Sequence, residues 1–128
     1  MSLTDEQRAI IEKPNFGHLA TVMSDGSPQV SPVWVDVDGD HVLVNTAAGR
    51  LKERNMRRDP RVALSVRDRE LVDSEVTIRG RVVDITEVGA EEHIHALSRK
   101  YRGEEYNGLV PGMVRLIVRI LPERVTGP

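Results

Sequence analysis

The segment LVNTAAGRLKERNMRRDPRVALSV, residues 43–66, decides the fold, because it places a basic stretch between two strand patterns. Residues 41–46 and 61–66 are rich in β-branched and aliphatic side chains, which favour strands. Thr46 fits the N-cap position of a helix that begins near Ala47. Asp59 and Pro60 end that helix, since proline disfavours helical geometry in the residue before it. The segment therefore predicts a strand–helix–strand unit.

The predicted helix concentrates positive charge. Residues 49–61 contain six basic and two acidic side chains, whereas the formal net charge of the chain is −2. Its apolar stripe is reduced to Leu51 and Met56, so the helix has little surface to bury. Charge that is this local argues against a general nucleic-acid-binding surface.

Strand patterns flank this unit on both sides. Residues 17–23, 28–37 and 41–46 predict an antiparallel meander with turns at Asp25-Gly26 and Asp38-Gly39. Residues 61–66, 74–87 and 113–127 predict three more strands, with a bend or bulge near Gly80. Helices are expected over residues 3–13, capped by Thr4, and over residues 89–103. The order predicts a mainly β (α+β) fold, a small closed or split antiparallel barrel of six strands with short helices on its rim.

Composition indicates a single soluble domain spanning residues 1–128. Hydrophobic residues make up 39% of the 128, and Val, Leu and Ile must build the core because aromatic residues make up only 3%. The chain has no cysteine, which excludes disulfides and fits a reducing compartment. No segment resembles a signal peptide or approaches the roughly 20 apolar residues that span a bilayer. We therefore expect a cytoplasmic protein that does not bind membranes.

The start of the basic helix has the features of a phosphate site. A helix N-terminus offers unpaired N–H groups and the positive end of the helix dipole. Gly49 permits close approach to the backbone, Arg50 can bind a phosphate through two nitrogens, and Lys52 adds a compact charge. Asn45 and Thr46 add polar side chains at the end of the preceding strand. The alternative, a solvated charged helix face, remains equally open from these residues alone.

Other polar residues carry weaker indications. His93 and His95 are two apart on a predicted helix and so point to different faces. With no third ligand evident, we expect no metal site. Tyr101, Tyr106 and His18 are candidates by residue type for a proton donor, although such residues are more often packing or surface residues.

Residues 17–35, 43–66 and 78–83 resemble the flavin/deazaflavin oxidoreductase superfamily, whose archetype is pyridoxamine 5′-phosphate oxidase. The pattern GRxKxxNxRRDPR at residues 49–61, with PxVSPVW upstream, is similar to an actinobacterial branch whose members use the deazaflavin coenzyme F420. This resemblance implies an FMN-binding-like split β-barrel homodimer with coenzyme sites at the subunit interface. It implies that Arg50 and Lys52 bind the coenzyme phosphate. The further contacts that it implies are Gln29, Ser31, Pro32, Val33, Asn45, Thr46 and Asn55.

The resemblance also frames the expected reaction. It implies hydride transfer from reduced F420 to an unsaturated small-molecule acceptor of the tetrapyrrole, quinone or enone type. The polyglutamate tail of F420 favours extra positive charge, which Arg54, Arg57, Arg58 and Arg61 could supply unless they pair with Glu53 and Asp59. An FMN-binding oxidoreductase and a non-catalytic coenzyme carrier remain alternatives, as does a binding module for a phosphorylated ligand. Leu71 and Val72 are expected to wall the ring from the partner chain.

Overall fold

A computed structural model describes residues 2–128 of the protein, and within them it contains three helices and seven strands. None of these helices is long and apolar enough to cross a lipid bilayer. The elements in chain order are α1 (Asp5–Glu12), β1 (Gly17–Val22), β2 (Pro28–Val33), β3 (Val35–Asp38), β4 (His41–Ala47), α2 (Leu51–Arg58), β5 (Arg61–Arg67), β6 (Glu75–Thr86), α3 (Ala90–Arg102) and β7 (Arg115–Thr126).

The seven strands form one antiparallel sheet in the order β2-β1-β5-β6-β7-β4-β3. β2 and β3 lie at opposite edges of this sheet, yet only Trp34 separates them in the chain. The sheet must therefore curl until its two edges meet at Trp34, which gives a half-barrel.

The expected number of six strands is wrong, because residues 28–37 form two strands. β2 pairs with β1, whereas β3 pairs with β4. The pairing partner changes from β1 to β4 at Trp34, so residues 28–37 cannot form one continuous strand. The two predicted turns are confirmed: Gly26 and Gly39 adopt the positive φ values of 87° and 61° that glycine tolerates.

The predicted N-cap at Thr46 is also wrong. β4 continues to Ala47, because Thr46 and Ala47 pair with Leu116 and Arg115 of β7. The chain then turns through Gly49, whose φ is 92°, and α2 begins at Leu51 with Arg50 as its N-cap. Pairing with β7 thus overrides the propensity of Thr46 to cap a helix.

Other local predictions are confirmed. Thr4 caps α1, since its hydroxyl accepts from the Gln7 N–H while the Gln7 side chain accepts from the Thr4 N–H. The register of β6 against β7 shifts at Gly80, where an added Cβ would lie 2.3 Å from the Leu121 carbonyl oxygen. The bulge therefore requires glycine.

Aliphatic side chains fill the inside of the curled sheet, beneath α1. The fully buried members of this core are Ile11, Leu19, Leu64, Ile78, Ile120, Val35, Val42, Val44, Val66, Val76 and Val118. This core fixes the curvature that brings the two sheet edges together.

Helix α3 holds the junction between β2 and β3. The Tyr101 hydroxyl accepts from the Val35 N–H at 3.0 Å and donates to the Asn15 carbonyl at 2.7 Å, and its ring stacks on Trp34 with centroids 5.4 Å apart. Lys100 Nζ donates to the carbonyls of Ile11 and Val35, both at 2.7 Å. Burial lowers the pKa of Lys100 to about 8 and raises that of Tyr101 to about 12. Both side chains therefore act here as structural hydrogen-bonding groups.

We predict that Tyr101→Phe lowers the free energy of unfolding by about 1–3 kcal/mol, because it leaves the Val35 N–H and the Asn15 carbonyl without their partner. Tyr106→Phe is the matched control, since the described contacts of that side chain are made by its ring. Urea unfolding of both variants measures the difference. Equal losses would contradict the assigned role of Tyr101.

Candidate functional site

A cleft of about 280 Å³ lies where the β2–β3 junction meets the end of β4, the start of α2, helix α3 and the start of β7. Its lining combines apolar and aromatic side chains with polar and basic ones. The residues that line the cleft are Phe16, Pro32, Val33, Trp34, Asn45, Thr46, Arg50, Lys52, Ile94, Leu97, Tyr106 and Arg115. A cleft of this composition suits a flat aromatic ligand that carries an anionic group.

Three cations line the cleft without a carboxylate partner. Within residues 2–128, Arg50, Lys52 and Arg115 take part in none of the ion pairs. Burial, and then the charges of Arg50 and Arg115, lower the pKa of Lys52. Arg115 is only 5% exposed, and burial lowers the pKa of its guanidinium as well. Arg50 is exposed and Lys52 half-buried, but a buried charge such as that of Arg115 costs stability without a counterion, so this arrangement favours an anionic ligand.

Arg115 is fixed by neighbours that do not neutralise it. Its Nε donates to Asn45 Oδ1 at 2.8 Å, and its guanidinium carbon lies 5.3 Å from the centre of the Tyr106 ring. Asn45 pairs with Ile117 in the register of β4 against β7, so Arg115 is its diagonal neighbour on the same face. The guanidinium is thereby held at the cleft with its full charge.

Thr46 provides a further polar group without a partner. Its side chain is 2% exposed, and its hydroxyl makes no hydrogen bond within the described chain. Buried hydroxyl groups normally have a partner. The orphaned Thr46 hydroxyl therefore marks a position at which a ligand can form a hydrogen bond.

Several charges of α2 are satisfied within the protein. The buried Glu53 carboxylate accepts from the Gly49 N–H at 2.7 Å and from Arg57 Nε at 2.5 Å, and these contacts lower its pKa despite burial. Arg61 pairs with Asp59 at 2.7 Å. The Gly49 N–H is thus occupied by Glu53, so the anion-binding groups of the site are the side chains of Arg50, Lys52 and Arg115.

Six of the nine residues predicted to contact a coenzyme line the cleft together: Pro32, Val33, Asn45, Thr46, Arg50 and Lys52. Gln29 and Ser31 lie on β2 outside this lining, and the Gln29 side-chain carbonyl accepts from the Thr21 hydroxyl at 2.6 Å. Asn55 is fully buried and donates to the same hydroxyl at 3.0 Å. In this chain Asn55 therefore anchors α2 to β1, and a contact of Asn55 with a coenzyme stays a prediction.

Sequence reasoning missed Arg115 as a residue of the site. The sequence feature that could have pointed to Arg115 is its position as a charged residue at the start of an aliphatic strand. In the structure it pairs with Ala47 of β4. Tyr106 lines the cleft, whereas Tyr101 lies in the junction and His18 is exposed on β1. Of the three candidate proton donors, Tyr106 alone therefore faces the site.

A second cleft, of about 650 Å³, lies over β1, β5, β6 and β7. It is larger, but it contains none of the nine predicted residues and includes the acidic Glu123 beside Arg79 and Arg124. Its third cation, Arg61, is already paired with Asp59. The smaller cleft, which is lined by six of the nine predicted residues and by no carboxylate, is the better candidate site.

The chain belongs to the pyridoxamine 5′-phosphate oxidase family, whose model matches residues 3–126. Its structure is similar to that of a protein named F420 reductase, with a TM-score of 0.87 and 30% identity over 97% of this chain and 98% of that one. It is also similar to the conserved hypothetical protein Rv2991 from Mycobacterium tuberculosis, with a TM-score of 0.74 and 25% identity over 98% and 84% of the two chains. The curled seven-stranded sheet is the split barrel of this family, and it supports an oxidoreductase that uses a flavin or deazaflavin.

We predict that Lys52→Met raises the free energy of unfolding of the ligand-free protein by about 0.5–1 kcal/mol, because it removes a partly buried charge that Arg50 and Arg115 repel. Lys13→Met is the control, since Lys13 lies 3.5 Å from the Asp68 carboxylate and should lose a little stability. Thermal unfolding at low ionic strength compares the two. A marked loss of stability in Lys52→Met would show that Lys52 has a structural partner.

Proposed function

We propose that the protein is an F420-dependent oxidoreductase that reduces an unsaturated small molecule, with the coenzyme phosphate bound by Arg50 and Lys52. The observation that carries this proposal is the set of unpaired cations beside an apolar wall in one cleft. The similarity to a protein named F420 reductase over nearly the whole of both chains supports the choice of coenzyme. The residues present fit such a group, since the cleft offers cations, a free hydroxyl and a flat aromatic neighbour.

Each wall of the cleft has a separate task in this proposal. Arg50 and Lys52 supply the charge that a phosphate requires, and Thr46 offers its unpaired hydroxyl beside them. Pro32 and Val33 form an apolar shelf that excludes water from one face of the ring. When bound, reduced F420 supplies the hydride, from C5 of its deazaflavin ring. The protein contributes orientation and electrostatics.

The expected acceptor is a tetrapyrrole, a quinone or an enone, because each offers an activated double bond to a hydride. Tyr106, which lines the cleft beside Arg115, is the candidate proton donor in this proposal. The acceptor class stays part of the proposal.

FMN is the second candidate coenzyme, and the pairing of the α2 arginines favours it. Arg57 is bound to Glu53 and Arg61 to Asp59, while Arg58 donates to Asn55 Oδ1 and to the Val22 carbonyl. These cations are less available to a polyglutamate tail than the sequence indicated. Arg54 remains exposed and free of such pairs within the described chain.

We further propose that the protein acts as a homodimer with its coenzyme sites at the interface. The cleft measures about 280 Å³, at the small end of the range of about 300–1,000 Å³ for ligand pockets. Leu71 and Val72, 63% and 61% exposed, lie in the β5–β6 loop, and Val30 on β2 is 64% exposed. Side chains of this kind on a second copy would supply the missing wall.

Titration with F420 and with FMN, each followed by fluorescence, tests the coenzyme assignment. We expect saturable F420 binding that Lys52→Ala weakens by about 1–3 kcal/mol, the contribution of a charged hydrogen bond. Lys13→Ala is the matched control and should bind as the wild type does.

The outcomes separate the alternatives. Tight FMN binding without an F420 response would replace the first coenzyme by the second. Binding without turnover against any acceptor would favour a carrier. An unchanged dissociation constant in Lys52→Ala would overturn the phosphate site.

Light scattering coupled to size exclusion tests the dimer. We expect a mass near twice 14.3 kDa at micromolar concentration, because the exposed apolar side chains of the β5–β6 loop and β2 would be covered by a partner. Leu71→Asp should lower the mass and weaken coenzyme binding together. A monomer that binds coenzyme with full affinity would refute the shared site.

A further inference from the structure

We propose that His93 is a positioning residue, which orients Asn45 and through it aims the Arg115 guanidinium at the anionic group of the ligand. This inference rests on the proposed function of the cleft and extends its cationic set by Arg115. The motif at residues 49–61 does not contain any of these three residues. They come from α3, β4 and β7, and only the fold brings them together.

Asn45 is held in one orientation by three contacts. Its Nδ2 donates to the Ala90 carbonyl at 3.0 Å and lies 3.1 Å from His93 Nδ1, while its Oδ1 accepts from Arg115 Nε at 2.8 Å. A flipped amide would face the Ala90 carbonyl with an oxygen and Arg115 with a donor. The amide oxygen must therefore point to Arg115.

This orientation of the Asn45 amide determines the tautomer of His93. Because Asn45 Nδ2 is a donor, His93 Nδ1 must accept and carries no proton. The proton then resides on Nε2, which donates to Asp36 Oδ2 at 3.1 Å. In this tautomer both ring nitrogens of His93 are hydrogen-bonded, and its side chain is only 10% exposed.

Asp36 fixes the far end of the chain of contacts. Burial acts to raise its pKa, but the hydrogen bonds from His93 and from the Val37 N–H lower it, as do the charge of His93 when that ring is protonated and the charge of Lys100. The ionised carboxylate keeps the proton on His93 Nε2. The contacts therefore run from Asp36 through His93 and Asn45 to a guanidinium at the cleft.

These contacts hold a buried arginine that has no counterion among the described residues. Asn45 is neutral, so it fixes Arg115 Nε without cancelling the charge. Of the two terminal nitrogens, Nη1 donates to Met113 Sδ at 4.0 Å, and Nη2 makes no hydrogen bond within the described chain. They are available for two parallel bonds to a phosphate, phosphonate or carboxylate group.

Sulfate binding tests the proposal without relying on any coenzyme, because sulfate keeps its charge across the working pH range. Its dissociation constant is measured by calorimetry at pH 8 and low ionic strength for the wild type, His93→Leu and His93→Asn. We expect His93→Leu to bind about tenfold more weakly, as the loss of one oriented charged contact requires. His93→Asn should restore binding to within about twofold, since its Oδ1 occupies the place of Nδ1 and accepts from Asn45.

Controls separate positioning from general damage. His41→Leu, at the other end of β4, should leave sulfate binding unchanged. Urea unfolding reports the stability of each variant, and the Nε–H resonance of Arg115 should shift or broaden in His93→Leu and recover in His93→Asn. A merely structural role would lower stability in both His93 variants without this recovery.

Three results would overturn the proposal: no sulfate binding by the wild type, equal binding by His93→Leu, or no rescue by His93→Asn. Failure of the proposed function is distinguishable. If the protein bound sulfate with the expected dependence on His93 but bound neither F420 nor FMN, the positioning role would stand and the coenzyme assignment would fall.

Discussion

The covalent link through Trp34 between the two edges of the sheet is the constraint on which the rest of the structure depends. Seven strands at about 4.8 Å spacing would separate the edges of an uncurled sheet by roughly 29 Å, yet one residue joins them. The sheet therefore curls, and Tyr101 and Lys100 of α3 hold the join. The same curl sets Pro32 and Val33 opposite the ends of β4 and β7, and this creates the cleft.

Closure of the sheet also brings three basic side chains together at the cleft. Arg57 and Arg61 have carboxylate partners, whereas Arg50, Lys52 and Arg115 line the cleft with no such partner among residues 2–128. Burial, and then the charges of Arg50 and Arg115, lower the pKa of Lys52. Repulsion between like charges is tolerated where binding of a ligand offsets it. Groups with perturbed pKa values therefore cluster at functional sites.

Local sequence signals predicted local structure well, including the Thr4 cap, the turns at Gly26 and Gly39, and the bulge at Gly80. They failed where distant strands compete for the chain. Val33, Trp34 and Val35 form an unbroken β pattern, so the change of neighbour at Trp34 left no mark in the sequence. Arg50 and Lys52 stood out because they are close in sequence, whereas Arg115 joins them only through the register of β7 against β4.

A crystal structure with the bound coenzyme tests the central claim most directly. The proposed site predicts phosphate oxygens within about 4 Å of Lys52 Nζ and of the Arg50 and Arg115 guanidinium groups, with the ring against Pro32 and Val33. A phosphate bound instead in the larger cleft, beside Arg79 and Arg124, would contradict the assignment of the site.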